Sequence, residues 1–102
     1  MADKERGSPI GMFRANGRIY EHRIFISSDD RVECQDEDGN LVLKYTANCD
    51  VFDHKGDRVG RWHMHKGEWY FQSEKDDQKH FYKRDLLEAE MKVSQLYIEG
   101  KL

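Results

Sequence analysis

Asp36-Glu-Asp-Gly39-Asn-Leu-Val42-Leu-Lys-Tyr45 is followed, 17 residues on, by Asp53-His-Lys-Gly56-Asp-Arg-Val59-Gly-Arg-Trp62. The two stretches agree at the Asp, the Gly, the branched apolar position and the closing aromatic. A polar turn closed by Gly, then an alternating strand, is half of a β-hairpin, and its tandem repetition predicts an antiparallel meander built from local pairings.

The rest of the chain carries turn chemistry of the same kind. Asn16-Gly17 suits a two-residue turn in which both central residues have φ > 0. Ser27-Ser-Asp-Asp30, Asp38-Gly39, His54-Lys-Gly56 and His65-Lys-Gly67 supply the other breaks. Strands are expected near 10–15, 18–27, 31–35, 41–46, 50–54, 57–65 and 68–72. Five or six of them are expected to form one curled or barrel-like sheet over about 10–72, preceded by a flexible tail at 1–9. Leu41, Leu43, Tyr45, Ala47, Cys49 and Val51 share one parity and form a candidate core face.

Beyond the sheet the period changes. Ser73 and Asp76 are spaced as a capping box and Gly100 as a stop, which predicts one helix over about 74–99. Tyr82, Leu86, Ala89, Val93 and Leu96 make one apolar stripe. Leu87, Met91 and Ile98 make a second on nearly the opposite side, which calls for another partner. The fold class is therefore α+β, a single domain over 10–102.

The 102 residues include 17 basic and 20 acidic side chains, a net charge of −3, too balanced to select nucleic acid or a membrane surface. No run of 18 apolar residues is present, so no transmembrane helix is expected. Met1–Pro9 lacks the apolar segment of a secretory signal, which leads to the expectation of a cytoplasmic chain with Cys34 and Cys49 as reduced thiols.

No catalytic signature emerges. There is no Gly-rich phosphate loop and no G-x-S-x-G elbow, and both cysteines fall on apolar parities. Asp36–Asn40 resembles the start of a calcium loop, but Leu41 and Ala47 stand where Gly and Glu would be needed. His63 and His65 point one way along a strand, yet two imidazoles fall short of the three or four protein ligands of a zinc site. No metal, cofactor or enzymatic activity is expected.

Two candidate surfaces remain. Pairing across Lys66-Gly67 puts Trp62, Met64, Trp69 and Phe71 on an apolar face, and Arg61, His63, His65, Glu68, Tyr70 and Gln72 on a polar one. The expected function is a non-enzymatic interaction protein of adaptor or inhibitor type. Its partner would meet Arg61, His63, His65 and Tyr70, with a homodimer forming through Leu87, Met91 and Ile98. The acidic run around Asp29, Asp30, Glu33, Asp36, Glu37 and Asp38 is a further candidate contact. The alternative is a nucleic-acid-binding module using Arg58, Arg61, Lys66 and Tyr70.

Overall fold

The computed structural model describes residues 7–25, 32–75, 78–82 and 85–102, with the side chains of 81 and 82 outside the description. The strands are β1 (Ser8–Ala15), β2 (Arg18–Ile24), β3 (Val32–Gln35), β4 (Leu41–Tyr45), β5 (Asp50–Asp53), β6 (Arg58–His65), β7 (Glu68–Ser73) and β8 (Lys79–Tyr82). Helix α1 spans Leu86–Ile98. All pairings are antiparallel and sequential, β1 to β8, giving an eight-stranded half-barrel with the helix packed against it.

The α+β meander is as expected, but among the described residues the strand count is eight rather than five or six. The first hairpin joins the main sheet, because Glu21–Ile24 pair with Val32–Gln35. Ser8 and Pro9, assigned to the tail, already belong to β1, while 1–6, the Ser27–Asp30 turn and Asp76 lie outside the described residues.

Residues 79–82 are a strand, not part of a helix over 74–99. Their backbone finds partners along Trp69–Gln72, whereas a helix over 74–80 would have presented polar residues on every side. Ser73 closes β7, and its hydroxyl accepts from the Lys75 N–H in a turn. The helix starts at Asp85, whose carboxylate accepts from the Glu88 N–H at 3.1 Å. It ends as expected at Gly100 (φ 73°), with Gly100 N–H donating to Tyr97 O and Lys101 N–H to Leu96 O, a Schellman closure.

The repeated turns share one hydrogen-bond pattern. Asp36 N–H donates to Asn40 O and Gly39 N–H to Asp36 O; Asp53 with Asp57 and Gly56 with Asp53 do the same. A third copy lies between them: Thr46 N–H donates to Asp50 O and Cys49 N–H to Thr46 O. Cys49 takes the glycine position with φ 70°, beside 83° at Gly39 and 88° at Gly56. Ala47 and Cys49 therefore stand in a turn rather than on a strand face.

A side chain in this left-handed region costs about 1–2 kcal/mol, so Cys49→Gly should raise stability by about 0.5–1 kcal/mol after the loss of a half-buried thiol. Gly56→Ala, where an added Cβ meets nothing within 4 Å, should lower it by about 1 kcal/mol. Urea midpoints at constant slope measure both, and equal effects of one sign would contradict the shared geometry.

Register explains the core. Ile24, Val32, Tyr45, Val51, Gly60 and Ser73 form one cross-strand row on the inner face. Beside it run His22, Cys34 and Leu43, then Trp62 and Phe71. The helix lays Ala89 and Val93, both fully buried, onto this surface. The second stripe meets the first strand of its own chain. Met91 fills the space over Gly11, where an added Cβ would lie 2.6 Å from its sulfur, and Ile98 packs on the core. Along the same edge the Asn16 amide donates to Ile98 O at 3.0 Å and the Gln95 amide to Arg14 O at 3.4 Å. Of the three residues, Leu87 alone is exposed, at 42%.

Candidate interaction face

The outer face of β5–β8 is built by register. Asp50, Arg61, Gln72 and Lys79 stand side by side on four successive strands. The next row pairs His63 with Tyr70, and the next His65 with Glu68. Alternation turns their neighbours Trp62 and Phe71 inward, where they are buried, so all four sheet residues expected to meet a partner share the solvent side. The helix residues Leu87, Met91 and Ile98 do not join them.

The His63 and Tyr70 rings stack at 4.9 Å with 20° between their planes, and the Lys79 ammonium sits 5.3 Å from the Tyr70 centroid. This half-buried pair is a preformed platform on rigid strands. Arg61 and His65 beside it are exposed.

Charge pairing divides the two arginines. Arg58 is committed: its Nε lies 2.6 Å from Glu74 Oε1 and its Nη1 3.4 Å from Asp50 Oδ1. The hydrogen bond and charge of Glu74, then Asp50, hold its guanidinium above the usual range. Among the described residues Arg61 has one long charge contact, Nε to Asp50 Oδ1 at 3.6 Å, and its side chain is 51% exposed. A notch of about 200 Å³ opens between Arg58, Arg61, His63, Gln72 and Glu74.

These facts bear on nucleic acid. Trp62 is buried and Trp69 packs edge-on against it at 6.3 Å, so neither indole is offered to a base. Glu74 and Asp50 offset Arg58, and Lys66 stands at the tip of the β6–β7 turn. Of the cationic stripe seen in sequence, Arg58 is the member neutralised by its neighbours.

The chemistry of the other groups follows from burial. Cys34 is fully buried, and burial pushes its thiol up to about 12, far from a thiolate nucleophile. Cys49 is half-buried, and both cysteines are free thiols. Hydrogen bonds from Asn40 and Asp38, with Arg18 nearby, outweigh partial desolvation and hold the Asp36 carboxyl below its usual range. Its Oδ1 accepts from the Asp38 and Asn40 N–H groups, which explains the calcium-like spacing as a turn device.

Inside the half-barrel lies a polar cluster that the sequence reading missed. His22 Nε2 and Ser94 Oγ are 2.8 Å apart, and Tyr45 Oη is 2.6 Å from the same Oγ and donates to Glu90 O at 2.9 Å. A Ser–His contact suggests a nucleophile and its base. Here both groups are fully buried beneath the helix, and the hydroxyl is shared with Tyr45, so the contact fastens helix to sheet. Burial holds the His22 imidazole down to about 4 and pushes the Glu90 carboxyl up to about 8. His22 was visible in principle, since it alternates in step with Tyr20 and Ile24. Gln72 was already on this face through the Lys66-Gly67 pairing, whereas the place of Lys79 beside it depends on the β7–β8 pairing.

Among the described residues no helix is long and apolar enough to cross a membrane, and no group of three or more His, Cys, Asp or Glu residues is placed to hold a metal ion. No family model, no curated protein and no solved structure matches the chain.

Proposed function

We propose that this chain is a non-enzymatic, cytoplasmic protein-interaction module that meets its partner through the outer face of β5–β8. The observation that carries this reading is the stacked His63–Tyr70 pair with Lys79 over the ring and Arg61 alongside. Tyr and Arg on a rigid scaffold are the residue types that dominate interface energetics. The second helix stripe supports it by elimination. With Met91 and Ile98 engaged inside the chain, Leu87 alone offers far less than the roughly 800 Å² per partner of a stable interface. The largely neutralised charge around Arg58 weighs against nucleic acid.

Affinity capture from host lysate, with three baits, tests the reading. An Arg61→Glu/Tyr70→Ala variant is expected to lose the proteins that wild type retains, while Leu87→Glu keeps them. The reverse pattern would transfer the contact to the helix. Retention of nucleic acid that falls steeply with salt would replace the reading with the phosphate-binding one.

A further inference from the structure

We infer that the partner segment meeting this face is acidic, and that its carboxylate is received by the notch between Arg61, His63 and Gln72. The inference rests on the interaction reading above and adds the chemistry of the partner. Arg61 reaches Asp50 only through Nε, at 3.6 Å. Among the described residues, neither terminal nitrogen of its guanidinium has a partner, and the side chain is half exposed. Arg61, whose guanidinium is a planar fork, lines a cavity of about 200 Å³ together with Arg58, His63, Gln72, Ser73 and Glu74. A carboxylate accepts two parallel N–H bonds from such a fork, and the geometry selects it over a basic or neutral side chain.

The neighbouring charges favour the same occupant. Glu74 lines the notch, but its carboxylate is taken by Arg58 at 2.6 Å, and Asp50 is shared between Arg58 at 3.4 Å and Arg61 at 3.6 Å. Lys79 continues the row from Arg61 through Gln72, and its ammonium is engaged with the Tyr70 ring. An extended acidic segment crossing β6–β8 would find Arg61 first and Lys79 two strands away, with the His63–Tyr70 stack as its apolar floor. Its specificity would come from the paired donors and its area from the rings.

Three probes separate this from its rivals: poly-L-glutamate, poly-L-lysine and a dodecamer of deoxythymidylate, each titrated into the full chain and followed by amide NMR shifts. Poly-L-glutamate is expected to move the signals of Arg61, His63, Tyr70 and Gln72 and leave those of the β1–β2 hairpin in place. Arg61→Glu should weaken that binding by about tenfold or more, whereas Arg18→Glu, on the opposite end of the sheet, should leave it unchanged. Equal binding by Arg61→Glu, shifts away from the notch, or preference for poly-L-lysine overturns the inference. Preference for the dodecamer assigns the notch to phosphate instead. If poly-L-glutamate fails while the Arg61→Glu/Tyr70→Ala bait still loses its captured protein, the face stands and only its acidic partner falls. If that bait keeps its protein, the interaction reading itself falls.

Discussion

Gly60→Val should destabilise the chain by about 3 kcal/mol, at the upper end of what overpacking costs. Gly60 faces inward between Val51 and Ser73, and the Phe71 ring lies over it. A Cβ there would stand 2.2 Å from Phe71 Cζ and 2.6 Å from Gln72 O. The ring is fully buried and touches Trp62 edge-on at 5.4 Å, while the carbonyl belongs to the sheet backbone, so neither can withdraw cheaply. Phe71→Ala alone should cost about 3–5 kcal/mol through lost burial and the cavity left behind. Together the two changes should cost clearly less than their sum, because removing the ring vacates the space the valine needs. Chemical denaturation of the four proteins measures the cycle. Strict additivity would mean that Phe71 does not fill the glycine gap.

The second large effect is on the pH dependence of stability. Burial lowers the His22 imidazole from 6.5 to about 4 and raises the Glu90 carboxyl from 4.5 to about 8. At Glu90 the folded chain holds a proton that the unfolded chain has released between those limits, so stability falls as pH rises from 4.5 to about 8. At His22 the unfolded chain holds the extra proton, so stability falls as pH drops from 6.5 towards 4. The two slopes are opposite and cancel where they overlap, between 4.5 and 6.5. Wild type should therefore be flat across that window with respect to these groups, and lose about 2 kcal/mol on passing from pH 6.5 to 8.5. Glu90→Gln keeps a neutral side chain in place and should abolish the alkaline loss. It should also uncover the His22 slope, with a fall of as much as ~3 kcal/mol from pH 6.5 down to 4. Parallel curves for the two proteins from pH 4.5 to 8.5 would contradict this account of the cluster beneath the helix.

The fold was legible wherever turn chemistry is local. Asp36–Gly39 and Asp53–Gly56 announce their hairpins because a glycine must take the left-handed position. The turn between them was hidden because Cys49 occupies that position and tertiary pairing on both sides holds it there. The helix start was misplaced, although Asp85 and Glu88 also stand at capping spacing. The Ser73–Asp76 spacing upstream drew the boundary too early, because the pairing of Lys79–Tyr82 with β7 leaves no local signature.

The site divides along the same line. Placing Arg61, His63, His65 and Tyr70 on one polar face needs only the two-residue turn at Lys66-Gly67, which the structure has with both φ values positive. The destination of Met91 was out of reach. Gly11 lies 80 positions earlier, and nothing local says that this glycine leaves room for a methionine. Glu90 and Ser94 were likewise readable as surface residues until the helix face was oriented by Ala89 and Val93.

Hydrogen exchange on the chain alone and in complex with its captured partner tests the central claim most directly. Slowed exchange confined to Arg61–His65 and Glu68–Gln72, with Leu86–Ile98 unchanged, is the predicted result. Protection along the helix, with those strands exchanging as in the free chain, would contradict the outer face of the sheet as the contact surface.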